Sequence, residues 1–150
     1  MKILLAIDGS KCSDAAVMDV AGRPWPPDCK LKIMSVVESP YVSSKGQEDF
    51  KTEFQSVAEQ AAYSRAQAII DKAVTTILAG DNKSLAITAK ILTGPPNQVI
   101  LDEAEKWDAD LIIVGSHGYR EEERALLGSV SQVVSMHAKC SVEIVRDKKR

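Results

Sequence analysis

Gly115, Gly118 and Gly128 are separated by two and by nine residues, and Ser129 and Ser131 follow the last of them. Ahead of them runs Leu111-Ile112-Ile113-Val114, an uninterrupted apolar stretch of the kind carried by a strand covered on both faces. Behind them, Val130 to His137 has a helical pattern. A strand, a glycine-punctuated loop and a helix start in that order suit an anion, because free backbone N–H groups and the positive end of the helix dipole converge there. Gly115 is expected to let a ligand approach the strand end, Gly118 to take a positive φ, and Gly128 to leave room at the helix start. Ser129 and Ser131 would add hydroxyl donors. The stretch contains no Gly-Lys-Ser/Thr and no GxGxxG, so it is neither a Walker A loop nor a dinucleotide fingerprint. Taken alone, the glycines equally suit the turn geometry of any strand–loop–helix connection.

A second chemistry-bearing turn lies at the N-terminus. Lys2 to Ile7 reads as a strand, Asp8-Gly9-Ser10 ends it, and Ser10 is a candidate N-cap for a helix over Cys12 to Ala21. A carboxylate at the end of a strand sits where open α/β sheets bind ligands. Asp8 could also simply bond its own turn.

The rest of the chain must bring these two turns together. Leu31 to Val37 gives a second strand, and the polar segment Ser39 to Gln47 reads as a loop. Glu48 to Ala79 carries a helical stripe of Phe50, Phe54, Val57, Ala61, Ile69, Ala73, Val74 and Ile77. A third strand is expected over Ser84 to Leu92, a helix over Asn97 to Lys106 with proline before it, and a last strand over Val142 to Val145. Trp25, between prolines, reads as a lid on the core, and Met18, Met34 and Met136 as core filler. Strands alternating with helices predict a parallel sheet with helices on both faces, and a crevice at the carboxyl ends of the strands where their order reverses. Asp8 and Gly115 both fall at such ends.

The 150 residues suit one domain, 1–150, and a formal net charge of −2 offers nothing to nucleic acid. No apolar run is long enough for a membrane span, and the start lacks a cleavage site. Cys12, Cys29 and Cys140 are odd in number with no CxxC, which argues against a disulfide framework and for a reducing, cytoplasmic setting. His137 and Cys140 supply two ligands where zinc needs three or four, so no metal site is assigned to side chains.

Nearly the whole chain resembles the universal stress protein family. The likeness is carried by Ile3–Ser10 (ILLAIDGS), Ser35–Glu38 (SVVE), Ala109–Gly118 (ADLIIVGSHG), Leu126–Val134 (LLGSVSQVV) and His137–Arg146 (HAKCSVEIVR). The glycine spacing is similar to that of the family's ATP-binding branch. The resemblance implies an open five-stranded parallel sheet of order 3-2-1-4-5, Rossmann-like and similar to the adenine nucleotide alpha hydrolases. It implies adenine-nucleotide contacts at Ala6, Asp8, Val36, Gly115, Gly118, Gly128, Ser129, Val130 and Ser131. Asp8 would face ribose and phosphate, the Val36 backbone the adenine edge, and Gly115 the ribose. ATP, or AMP or ADP, would bind with Mg²⁺ bridging the phosphates. A homodimer would form through the final strand, whose free edge could pair with another copy.

Two departures stand out. Glu121-Glu122-Glu123 places three acids in the loop, flanked by Arg120 and Arg124, and Ser141 stands where a proline is common. The function expected is a dimeric, nucleotide-binding regulator or sensor of the stress response with no catalytic residue assigned. The alternatives are a slow ATPase or phosphotransferase, for which His117 is the nearest base, and an interaction protein independent of nucleotide.

Overall fold

A computed structural model describes residues 1–38, 53–118 and 126–148. The expected loop Ser39 to Gln47, the first turn of the long helix from Glu48, and the acidic run at 121–123 with its flanking arginines lie outside the described residues. Elements alternate along the chain as β1 (Lys2–Ala6), α1 (Lys11–Gly22), β2 (Lys30–Val37), α2 (Glu53–Ala79), β3 (Ala86–Thr93), α3 (Pro96–Trp107), β4 (Leu111–Gly115), α4 (Ser129–His137) and β5 (Ser141–Val145). The strands form a five-stranded sheet of order β3-β2-β1-β4-β5, and every pairing is parallel. The chain winds outward from β1 through β2 to β3, then returns to place β4 on the other side of β1. That reversal, between β1 and β4, is where such a sheet opens a crevice at its carboxyl rim.

Side-chain alternation along the strands builds two apolar layers. On one face Ile3, Leu5, Leu31, Ile33 and Ile113 pack against Ala16, Val17 and Val20 of α1 and Ile70, Ala73 and Ile77 of α2. On the other, Leu4, Met34, Ile112 and Val114 pack against Ile100 and Ala104 of α3 and Val134 of α4. β1 and β4 feed both layers, which is why their runs are continuously apolar.

The long helix departs from its expected stripe. Val57 and Ala61 are exposed, and the buried positions are Ala66, Ile70, Ala73 and Ile77, with Ile69 and Val74 partly covered. The hydrophobic period continues toward the helix N-terminus, but burial does not follow it. Met34 is fully buried as expected, whereas Met18 and Met136 are 62% and 70% exposed on α1 and α4 and fill no core. Trp25 packs on the first core layer with its indole N–H donating to the Val20 carbonyl, 2.9 Å away.

Strand ends are held by specific bonds. The buried Asn82 amide donates to the carbonyls of Val20 and Ala21, closing the end of α1. β3 begins at Ala86, two residues later than expected, because the Leu85 N–H is taken by the Asn82 carbonyl in a turn. The last strand starts at Ser141, and β5 is in register with β4 from Leu111–Ser141 to Gly115–Val145. Glu143 on β5 binds Arg23 at the end of α1, and Arg23 also pairs with Asp19. Among the described residues no helix is long and apolar enough to cross a membrane.

Candidate functional site

A cleft of about 540 Å³ opens at the carboxyl rim of the sheet, within the range typical of small-molecule sites. All nine residues expected to contact nucleotide, Ala6, Asp8, Val36, Gly115, Gly118, Gly128, Ser129, Val130 and Ser131, line it. They come from β1, β2, β4, the start of α4 and the turns that follow β1 and β4, so the strand-order reversal brings together positions from Ala6 to Ser131.

One end of the cleft is polar. The β1–α1 turn is built by its own hydroxyls: Ser13 Oγ accepts from the N–H groups of Asp8 and Gly9, and Ser10 Oγ accepts from the Ser13 N–H as N-cap. Asp8 bonds its own turn and also lines the cleft. Its Oδ1 accepts from the Ser10 N–H at 2.9 Å, and its Oδ2 is turned toward the Gly118 loop, 3.0 Å from where a β-carbon on Gly118 would stand. Gly118 therefore serves close approach and not the left-handed turn expected of it; the described glycines with positive φ are Gly9 and Gly94. Ser10 Oγ also donates to the His117 carbonyl, 3.2 Å away, tying the two turns together.

Gly115 is likewise explained by packing. A β-carbon there would lie 2.7 Å from Cys12 C and 2.8 Å from Ser13 N, so its missing side chain lets the first turn of α1 rest on β4. The reading of Gly115 as room for a ligand assigned the space to the wrong neighbour, although the residue does border the cleft.

Helix α4 presents its N-terminus to the same space. Its N-cap is Gly128, in extended conformation with no side-chain cap, in contrast to the Ser10 cap of α1. The first intrahelical bond runs from Gln132 N–H to the Gly128 carbonyl, so the first-turn amides before it have no acceptor within the helix. Gly128 N–H itself donates to the Ser116 carbonyl at 2.7 Å. Ser131 Oγ donates to that same carbonyl at 2.9 Å and is 1% exposed, so this hydroxyl is a fastener of the loop and not the donor to a ligand that the sequence suggested. The donors this corner presents to the cleft are therefore main-chain groups of the first turn.

Beneath the loop, Ser116 Oγ lies 3.4 Å from Cys12 Sγ and 3.1 Å from His117 Nδ1. Burial by itself would raise the Cys12 thiol, but the Ser116 hydroxyl and backbone hydrogen bonds from Asp147 and His117 outweigh it and bring the thiol below its ordinary range. His117 is half-buried at the cleft wall.

The other end is apolar. Met34, Val36, Val114, Ile100 and Pro96 line it from the α3/α4 side of the sheet, a surface suited to a flat, weakly polar ring. Sequence reading missed the wall supplied by α2, where Ala62, Arg65, Ala66 and Ile69 face the cleft. Its signal was the inner stripe of α2, since Arg65 lies one turn before Ile69 on the same face. Among the described residues no three His, Cys, Asp or Glu side chains converge as a ready metal cage.

Comparison with known proteins agrees with this architecture. The chain is 30% identical over 150 aligned residues to a putative universal stress protein from Staphylococcus haemolyticus, covering 96% of this chain and 83% of that one. It is 50% identical over 58 residues to universal stress protein A homolog 2 of Coxiella burnetii, and that match spans 39% of each chain. Among solved structures it is similar to the protein MJ0577 (TM-score 0.83, 22% identity, 99% of this chain and 97% of that one). It is similar also to a universal stress protein in complex with cAMP (TM-score 0.65, 22% identity, 99% and 98%). An Arabidopsis thaliana family member with AMP bound gives a TM-score of 0.66 at 17% identity, covering 99% and 93%. The model of the universal stress protein family matches residues 1–146, and the chain belongs to that family.

Proposed function

We propose that the protein binds an adenine nucleotide, ATP or its di- or monophosphate, in the rim cleft, and acts as a regulator whose partner surface depends on occupancy. The observation that carries this is the pairing, across one cleft, of a helix start whose cap residue is a glycine with an apolar slot. Phosphate would sit at the first-turn amides of α4, and the base between Val36 and the apolar side chains of the α3 side. The cAMP and AMP complexes of fold relatives support an adenylate over other anions.

Mg²⁺ fits as a companion of the phosphates and not as a resident ion. The cleft offers the single carboxylates Asp8 and Glu38, the donor set of a cation that takes most of its oxygens from phosphate and water. Bound, it would neutralise phosphate charge beside those acids.

Homodimer formation through β5 belongs to the same proposal. β5 is an edge strand, Val142 and Ile144 remain half-exposed on it, and Met136 lies 70% exposed on the preceding helix. A monomeric mass by sedimentation at micromolar concentration would remove that part.

The test of the site is calorimetric titration with ATP, ADP and AMP of the protein and of the Gly118→Val/Gly128→Val double variant. Binding in the micromolar range that is lost in the double variant is expected. Unchanged affinity in the variant would refute the placement.

A further inference from the structure

Arg65 is the sole arginine or lysine among the described residues lining the cleft. Neighbouring cations of the fold are engaged: Arg23 with Asp19 and Glu143, Lys32 and Lys90 with Glu103, Lys72 with Asp14. Arg65 has no ion-pair or hydrogen-bond partner among the described residues, although Asp8 and Glu38 line the same space. Its position follows from α2. The Cδ1 of Ile69 presses on the β1–α1 turn, standing 2.9 Å from where a β-carbon on Gly9 would be. Arg65, one turn earlier on that face, is exposed, as is Ala61 before it, and it borders the cleft.

The cleft thus has main-chain donors on its α4 wall and a guanidinium on the opposite, α2 wall. The helix start is suited to the first phosphate of a nucleotide. A guanidinium fork on the far wall is suited to oxygens that extend further, which it can bind bidentately. We propose that Arg65 reads phosphate number: it binds the second and third phosphates and makes this site select nucleoside di- and triphosphates over the monophosphate. The inference rests on the nucleotide reading above and gives it a preferred ligand. It also supplies the countercharge that Asp8 and Glu38 would otherwise deny to a polyphosphate.

The experiment is titration of the protein and of Arg65→Gln with adenosine, AMP, ADP and ATP at fixed ionic strength, with and without Mg²⁺. Glutamine keeps the helix propensity and most of the length at an exposed site, and an unchanged melting temperature checks that the fold is intact. The native protein is expected to prefer ADP and ATP over AMP by about tenfold or more, and Arg65→Gln to lose about tenfold to a hundredfold on ADP and ATP while AMP stays within about twofold. Arg65→Lys should recover part of the loss, since it restores charge without the fork. Equal losses for all three nucleotides, or none, would overturn the role of Arg65 and leave the nucleotide site standing. Failure of the native protein to bind any of the four would overturn both.

Discussion

Gly115→Ala tests the account of how the site is assembled. The added methyl would lie 2.7, 2.8 and 3.0 Å from Cys12 C, Ser13 N and Cys12 Cβ. The first two are backbone atoms of the first turn of α1, so no side-chain rotation relieves the overlap. Either α1 lifts or β4 bows. Overpacking of this kind costs about 1–3 kcal/mol, and in a chain of this size about 2 kcal/mol lowers the melting temperature by roughly 4–8 °C. The displacement also falls on Ser13, whose hydroxyl holds the Asp8 and Gly9 amides, so nucleotide affinity should fall with stability. Gly22→Ala is the control, because a β-carbon at this last residue of the same helix meets nothing within 4 Å. It should be neutral or raise stability by up to about 1 kcal/mol, the helix-propensity difference. Differential scanning calorimetry and ATP titration of both variants make the comparison. A Gly115→Ala protein that melts with the parent, or a Gly22→Ala protein that falls as far, would refute the packing argument.

The remaining predictions concern charge and the loop fastening. Burial pushes the Glu103 carboxyl up, but Lys32 and Lys90 outweigh it and hold it below the usual carboxylate range. Its stabilisation is therefore present above the unfolded pKa of about 4.3 and is lost as pH falls through the folded value; urea-unfolding free energies measured downward from pH 6 should decline less steeply in Glu103→Gln than in the parent. Glu103→Ala should cost about 2–4 kcal/mol in the same assay at pH 7, because the Lys32 ammonium, on a side chain only 14% exposed, is left with the Trp107 ring, 4.4 Å away, as its neighbour. Glu143→Gln, at a pair about one-third exposed, should cost no more than about 1 kcal/mol globally yet speed amide hydrogen exchange in β5. Ser131→Ala should cost about 1 kcal/mol, read by thermal melting, while sparing most of the affinity, since its hydroxyl bonds the loop and not the cleft.

Periodicity carried the fold. The continuous apolar runs of β1 and β4, the alternation of β2 and the glycine and proline stops lie in the chain itself, so element order was legible, and boundaries to within a residue or two except at the start of α2, where the expected Glu48 lies outside the described residues. What failed was local and had local causes. Val57 and Ala61 keep helical spacing with the stripe but are exposed, and spacing alone does not say how far along a helix its neighbours reach. Met18 and Met136 are apolar residues on solvent faces, a placement that composition cannot distinguish from core. The site was legible as a set of positions, because a glycine loop before a helix has a local signature. The jobs of its members were not: Gly115 makes way for α1, and Ser131 bonds Ser116, through contacts some 15 to 100 residues apart in sequence. Arg65 was passed over, although it lies one turn before Ile69, because a basic residue on a long amphipathic helix ordinarily means a solvated face.

Ser116 joins more of the molecule than its size suggests. Its N–H reaches the Val145 carbonyl of the outermost strand, its carbonyl takes both Gly128 N–H and Ser131 Oγ from the start of α4, and its hydroxyl touches the Cys12 thiol of α1. The corner where an anion would arrive and the rim where a second copy would pair are thus two bonds apart through one buried residue. A substitution at Ser116 would therefore disturb the α4 start and the outer strand together.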